Sequence, residues 1–445
     1  MASLQAATRA LSDIAAAGQI VVRLPGSGMS DVDGTHEGEQ RGAWGVLAIL
    51  TAVNLLNYID RFVFPAVSES IKHSTLAPSD TQIGLGSTAF LAVYLIAAPF
   101  FGAVGDRAQR MRWVAGGIFL WSAATALGGF ARTMPELIGA RSLVGIGEAA
   151  YSAIGPAILA DYFSEKARGR AFAIFFAAAP VGAALGYGIG GFVDFHWGWR
   201  EAFFVTGAPG LVVGWLLLRL RAPMKTAMTP GPTAGALHSY RFLLRGAQYR
   251  LTVLGYAAYT FAVGGIAAWM PVFVQRAHGL SSRVADSQLA IMLVVTGIVG
   301  SLGGGWIGDR LLRRNREAYL WLSAVTTLLA APLAWIAFTT ANISVYLVTL
   351  FAAELLIFTC TAPINSKLID MVPPGMRAAA MALCIFTIHL LGDLPSPTLI
   401  GWISDRSSIQ QGVLIIPVAV VVAGAIWMLA AWRGGRLSTA QVAEA

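Results

Sequence analysis

The chain has 445 residues, 56% hydrophobic and only 12% charged, where a soluble globular chain carries roughly 25% charged residues. That balance excludes an ordinary soluble enzyme and indicates an all-α membrane protein. The net charge of +8 does not make nucleic acid an expected partner, because the basic residues fall between apolar stretches and form no stripe.

Residues 1–42 are mixed and polar, with no small-residue cleavage site after an apolar run. They are expected to form a cytoplasmic tail, largely without fixed structure, with a short amphipathic helix near its start. Twelve apolar stretches of about 20 or more residues follow, each long enough to cross the hydrocarbon core, where only helical backbone can pair its own polar groups. Their expected limits are 44–71, 81–105, 112–131, 135–162, 168–193, 199–220, 250–276, 284–308, 318–339, 343–368, 377–404 and 409–432. The connection at 222–249, rich in Pro, Gly and Thr, divides them into two bundles, 43–221 and 250–433, and 434–445 forms a short C-terminal tail.

With the N-terminus inside, 23 of the 31 Lys and Arg residues fall in the tails and inner loops and 6 in the outer loops, so both termini are expected in the cytoplasm. The halves repeat. The second span ends in Gly102-Ala-Val-Gly-Asp106-Arg107 and the eighth in Gly305-Trp-Ile-Gly-Asp309-Arg310. A finer echo closes the fifth and eleventh spans, Gly190 to Asp194 and Gly401 to Asp405, on the opposite side, as an inverted repeat inside each half requires.

Three ionisable residues stand at mid-depth inside the spans. Asp60 and Arg61 lie about 24 Å along the first span at 1.5 Å per residue, and Glu148 lies at similar depth in the fourth. A charge at mid-bilayer costs at least about 2.5 to 3.5 kcal/mol, so these groups face a wet cavity or one another. Lost solvation favours a neutral acid and an adjacent guanidinium favours the anion, so Asp60 and Glu148 are expected to carry a coupling proton. The planar fork of Arg61 suits an anionic headgroup. Arg141, two turns before Glu148, is expected in the same ion network. His389 and Asp393 are four apart and share a helix face. Glu354 and Asn365 are further inward-facing candidates, and Phe62, Phe64, Trp269, Phe273 and Phe358 could line an apolar chamber. Pro180, Gly182, Gly186, Gly190 and Gly191 form a small-residue stripe for close helix crossing.

The string GAVGDRAQRMR from Gly102 resembles the signature between the second and third helices of the major facilitator superfamily, and GGWIGDRLLRR repeats it in the second half. The resemblance implies the major facilitator fold, twelve transmembrane helices in two pseudo-symmetric six-helix bundles. It also implies gating by Asp106, Arg107, Arg110, Asp161, Asp309 and Arg310. Asn57-Tyr58-Ile-Asp60-Arg61-Phe62, Arg141 to Tyr151, and His389 to Pro397 resemble the Spinster lipid transporters.

That likeness implies an amphipathic lysolipid or sphingosine-1-phosphate-like cargo moved by alternating access. Substrate contacts are expected from Arg61, Asn57, Tyr58, Tyr151, His389 and Asp393. A proton-linked carrier of a small organic anion or drug is the alternative on the same fold. A receptor or lipid-modifying enzyme is disfavoured, since the chain has no HExxH string, paired metal-ligand cluster or nucleophile elbow. Cys360 and Cys384 sit singly in apolar runs, so no metal or cofactor is expected. The partners expected are the bilayer, the lipid cargo and protons, with the protein a monomer in a bacterial inner membrane.

Overall fold

The computed structural model describes residues 32–105, 110–163, 165–219, 233–373 and 376–443. The first half holds α1 (Val32–Lys72), α2 (Asp80–Gly105), α3 (Arg110–Gly129), α4 (Met134–Tyr162), α5 (Glu165–Trp197) and α6 (Trp199–Arg219). A connecting helix, α7 (Thr233–Arg245), leads into the second half: α8 (Ala247–His278), α9 (Ser282–Leu312), α10 (Ala318–Thr339), α11 (Ile343–Thr359) and α12 (Thr361–Asp370). It continues through α13 (Arg377–Ile388), a π-helical turn (His389–Asp393), α14 (Ser396–Arg406), α15 (Ile409–Val413) and α16 (Ile415–Ala443).

Local signals set several of these ends. Thr133 accepts from the Glu136 amide to cap α4, and Asn342 accepts from the Ser344 and Val345 amides to cap α11. Gly279, at φ 67°, closes α8 in the left-handed conformation that L side chains resist. The helix expected from residue 44 begins earlier, at Val32, and the C-terminal half of the expected linker is helical as α7.

Eleven segments among the described residues are long and apolar enough to cross a membrane. The expected third span is the 20-residue α3 in its predicted place; it misses that standard because Arg110 and Arg112 occupy its first turn. The protein is a multi-pass integral membrane protein.

Helix pairing repeats between the halves. In the first, α1 lies against α5, α2 against α4 and α3 against α6; in the second, α8 lies against the α13–α14 segment, α9 against α11 and α10 against α16. The halves meet through α5 on α9 and α2 on α14, which is again one pairing seen twice. One hydrophobic core runs through the second half and into the first at the end away from the termini, joining Val63, Phe64 and Val193 to Trp269 and Phe273. A second core, with Leu47, Trp121 and Ile158, fills the first half toward the termini. The bundle is therefore joined at its distal face.

Candidate functional site

The stripe on α5 positions the site. A Cβ on Gly182 would meet the Leu55 carbonyl and Tyr58 Cβ; one on Gly186 would meet the Ile59 carbonyl and Phe62 Cβ. Only glycine lets α5 lie this close, and the contact holds residues 58–62 of α1 in place. Replacing Gly186 with leucine is expected to destabilise the first half by about 1 to 3 kcal/mol through overpacking, read as a lower midpoint of thermal unfolding in detergent. An unchanged midpoint would mean that α1 and α5 are free to separate.

The mid-depth charges converge as expected. Arg61 Nε donates to Glu148 Oε2 at 2.5 Å, with the arginine side chain 19% exposed and Glu148 wholly buried. Tyr58, Phe90 and Tyr94 surround the guanidinium at 5.3, 5.3 and 4.9 Å from their ring centres, an arrangement that stabilises a cation by its contact with π faces. Asp60 Oδ2 accepts from Thr125 of α3 at 2.5 Å, and Arg141 Nη1 donates to the Asp60 backbone carbonyl at 3.4 Å. Asp60 Oδ1 and Arg141 Nε remain unsatisfied, and Asn57 Nδ2 and Glu148 Oε1, whose side chains face each other, make no hydrogen bond of ordinary geometry. Buried polar groups are normally paired, so these spare valences mark a place for water, a proton or cargo. Tyr151 stands behind the cluster, its hydroxyl donating to the Leu50 carbonyl at 2.6 Å.

His389 and Asp393 pair with each other at 2.9 Å on the π-helical turn, one turn from where α13 gives way to α14. A carbonyl bond of π type, Leu394 N to His389 O, widens the helix just before Pro395 and Pro397, so the irregularity in this span lies slightly upstream of the prolines. Among the described residues no bond or ring contact joins this pair to Asp60, Arg61 or Glu148. Beside Arg61 along α1, Phe62 lines an apolar cavity of about 60 Å³ between the halves, with Tyr187, Val263, Met270, Leu293 and Phe358, and with Glu354 as its acidic residue. Phe64, Trp269 and Phe273 are instead buried in the core. Thr296 donates to Glu354 at 3.2 Å, while Asn365 donates to Tyr256 and to the Thr361 carbonyl.

Of the expected gate residues, Asp106 and Arg107 lie outside the described residues. Arg110 and Asp161 form an ion pair at 2.8 Å, Asp309 accepts from Tyr319 at 2.7 Å, and Arg310 lies 4.0 Å from the Trp306 ring centre.

The distal face carries a charge cluster that the sequence reading did not single out. Arg276 of α8 donates to Glu69 of α1 at 2.8 Å and to both Asp80 oxygens of α2 at 2.7 and 3.0 Å. Lys72 and Ser404 also hold Asp80. Asp405, the last residue of the repeated Gly401 string, accepts from the Asp80 and Thr81 amides, so a carboxylate from the second half caps the N-terminus of a first-half helix and complements its dipole. The available sequence signal was that echoed aspartate. Nearer mid-depth, Thr88 donates to the Leu394 carbonyl and Tyr187 to the Ala267 carbonyl.

Two pseudo-symmetric six-helix bundles, bonded at one face around a charged mid-depth site, have the architecture of a membrane transporter. The Major Facilitator Superfamily model matches residues 50–392. A sphingosine-1-phosphate transporter, SPNS2 of Xenopus tropicalis, is 31% identical over 88% of this chain and 82% of its own length. Protein spinster homolog 1 of Homo sapiens is 34% identical over 81% of this chain and 73% of its own. A crystal structure of a bacterial homologue of the human lysosomal transporter Spinster, inward-facing and unoccupied, superposes with a TM-score of 0.80 at 23% identity, covering 88% of this chain and 97% of that one. The chain belongs to the Spinster family of the major facilitator superfamily.

Proposed function

We propose that the protein is a secondary active transporter of an amphipathic lysolipid or sphingosine-1-phosphate-like lipid, coupled to protons and working by alternating access. The observation that carries this reading is the adjacency of Arg61, a partly exposed guanidinium, to Phe62, which lines the apolar cavity. An anionic head would take up the Arg61 donors now given to Glu148, and an acyl tail would enter between the halves as they part and widen the cavity of about 60 Å³. The similarity to a sphingosine-1-phosphate transporter supports the same cargo class.

In this scheme an anionic head displaces Glu148 from Arg61, and the freed carboxyl, sealed from water, takes up a proton to remain buried. Asp60 shares this load through its unpaired Oδ1. Asn57 and Tyr58 flank the head, Tyr151 backs them, and Arg141 holds the α1 backbone in place. His389 and Asp393 supply a second polar contact from the other half. Asp106, Arg107, Arg110, Asp161, Asp309 and Arg310 gate the face near the termini, which faces the cytoplasm of a bacterial inner membrane.

Proteoliposomes loaded with the full-length protein and offered lysolipids and small organic anions, with and without a pH gradient, test the reading. Lysolipid uptake driven by the gradient is expected in the native protein. The variant Glu148→Gln is expected to lose the acceleration by the gradient while it still exchanges lipid across the membrane. Retention of full gradient dependence in that variant removes the proton role, and movement of small anions alone removes the lipid.

A further inference from the structure

A second buried acidic pair lies between the halves, well away from Asp60 and Glu148. Asp286, early in α9, is wholly buried, and neither carboxylate oxygen has a hydrogen-bond partner. The α5 backbone closes over it, since a Cβ on Gly191 would overlap Asp286 Oδ2 and Cβ. Asp194, three residues beyond Gly191, is also buried. Its Oδ2 accepts from Ser70 of α1 at 2.6 Å, the Ser282 hydroxyl of α9 also faces this carboxyl, and Oδ1 makes no hydrogen bond of ordinary geometry. Gly191 and Asp194 lie about one turn apart on α5, so both carboxyls sit in the α5–α9 contact, and they belong to different halves.

No cation faces this pair among the described residues. Arg283, one turn before Asp286, is exposed and lies over the Phe192 ring at 5.7 Å. Arg276 of α8 is engaged by Glu69 and Asp80. The other titratable group facing Asp286 from α5 is Tyr187, whose hydroxyl is bonded to the Ala267 carbonyl; Glu354 of α11 lies beyond it, bonded to Thr296. Neither α10 nor α12 brings a charge to bear on Asp286.

An ionised carboxylate sealed without a donor is strongly disfavoured, and two like charges at one place cannot both persist. We propose that Asp194 and Asp286 form a proton-binding site between the halves, and that its occupancy locks the distal face shut. A protonated Asp286 can donate its O–H to the open Oδ1 of Asp194, which turns repulsion between the halves into a hydrogen bond. When α5 and α9 part, water reaches both carboxyls and the proton leaves toward the distal medium. This site lies apart from the one proposed for cargo coupling and does not depend on which cargo is carried.

The sign follows from the linkage. The closed distal face binds the proton and the open one does not, so closure is favoured at low pH and is lost as pH rises. The nearby ion cluster has the opposite sign, because Glu69 and Asp80 hold Arg276 only while ionised. The two contributions are therefore separable by the direction of the response.

Both native cysteines are buried, so spin labels can be placed at Arg132→Cys and Ala341→Cys, in distal loops of opposite halves. Electron–electron distances in the purified full-length protein are compared at about pH 5 and about pH 9, a range in which an ordinary carboxyl is already ionised and a sealed, unpaired one titrates. The native protein is expected to shift from short to long distances as pH rises. The variant Asp286→Asn is expected to lose this shift and stay closed, whereas Asp194→Asn moves the transition to higher pH. A shift that survives in Asp286→Asn but is lost in Glu148→Gln would assign it to the coupling carboxylate and overturn the proposal. An Asp286→Asn protein that opens with pH like the native one overturns the proposal, as does native closure that strengthens with rising pH. Closure that follows sodium instead of potassium at fixed pH would identify a cation site and overturn it too. Should Asp286→Asn fail to fold, an unchanged midpoint in Asp194→Asn overturns it alone.

Discussion

Arg61→Ala is expected to reduce lysolipid uptake at least about 100-fold, corresponding to about 2.7 kcal/mol of lost stabilisation. The substitution removes the proposed headgroup donors and leaves Glu148 without its cation, wholly buried and already carrying one unpaired oxygen. Removing one partner of a buried pair typically destabilises a protein by about 3 to 5 kcal/mol; partial exposure of Arg61 places the expectation at the low end. The two effects separate in a double variant. Arg61→Ala with Glu148→Gln should regain thermal stability, since no isolated anion remains, yet stay inactive because no guanidinium meets the cargo. Arg61→Lys should recover little, as an ammonium cannot offer the planar fork. Initial uptake rates and unfolding midpoints measured on the same preparations decide the matter; near-native uptake in Arg61→Ala would show that cargo binds elsewhere.

The second large effect concerns the distal face. Arg276→Gln is expected to shift the protein toward a distal-open state about 30-fold, equivalent to about 2 kcal/mol. In the closed state Arg276 spans Glu69 and Asp80 with three donors, and the glutamine leaves these two first-half carboxylates without the second-half cation that ties the halves together. Lys72 and Ser404 still hold Asp80, which keeps the expected effect below that of a fully orphaned buried charge. In the open state water solvates the same groups, so the substitution acts mainly on the closed form. Distances between labelled distal loops read the shift directly. Populations that match the native protein would show that the α2–α14 contact, with its Asp405 and Ser404 bonds, closes this face without Arg276.

The Arg61–Glu148 pair was legible in the sequence because hydropathy makes it anomalous: a charge in the middle of an apolar run needs a partner or a cavity, and few residues at that depth can supply one. Arg276, Glu69 and Asp80 gave no such signal. They stand at span ends, where charged residues are ordinary, and their partners lie 196 and 207 residues away in the chain. Asp286 was hidden for the same reason, since an acidic residue near a helix start is commonplace until α5 is seen to seal it. Asp194 and Asp405 were visible as an echo, but the repeat could not show that one caps a neighbouring helix while the other faces a second carboxyl. The expected α5 stripe did name its own role, because closely spaced glycines have one main structural use in a membrane helix.

What the amino-acid order determined by itself was the set of helices, their division into two repeating halves and the presence of charges at mid-depth. Each of these follows from the short-range demand that backbone and side chains satisfy themselves in lipid. Only the tertiary structure decided which charges meet, which face the two halves close, and which carboxyls are sealed away from water. Those outcomes depend on how the bundles approach one another, and the pairings that express them join residues hundreds of positions apart.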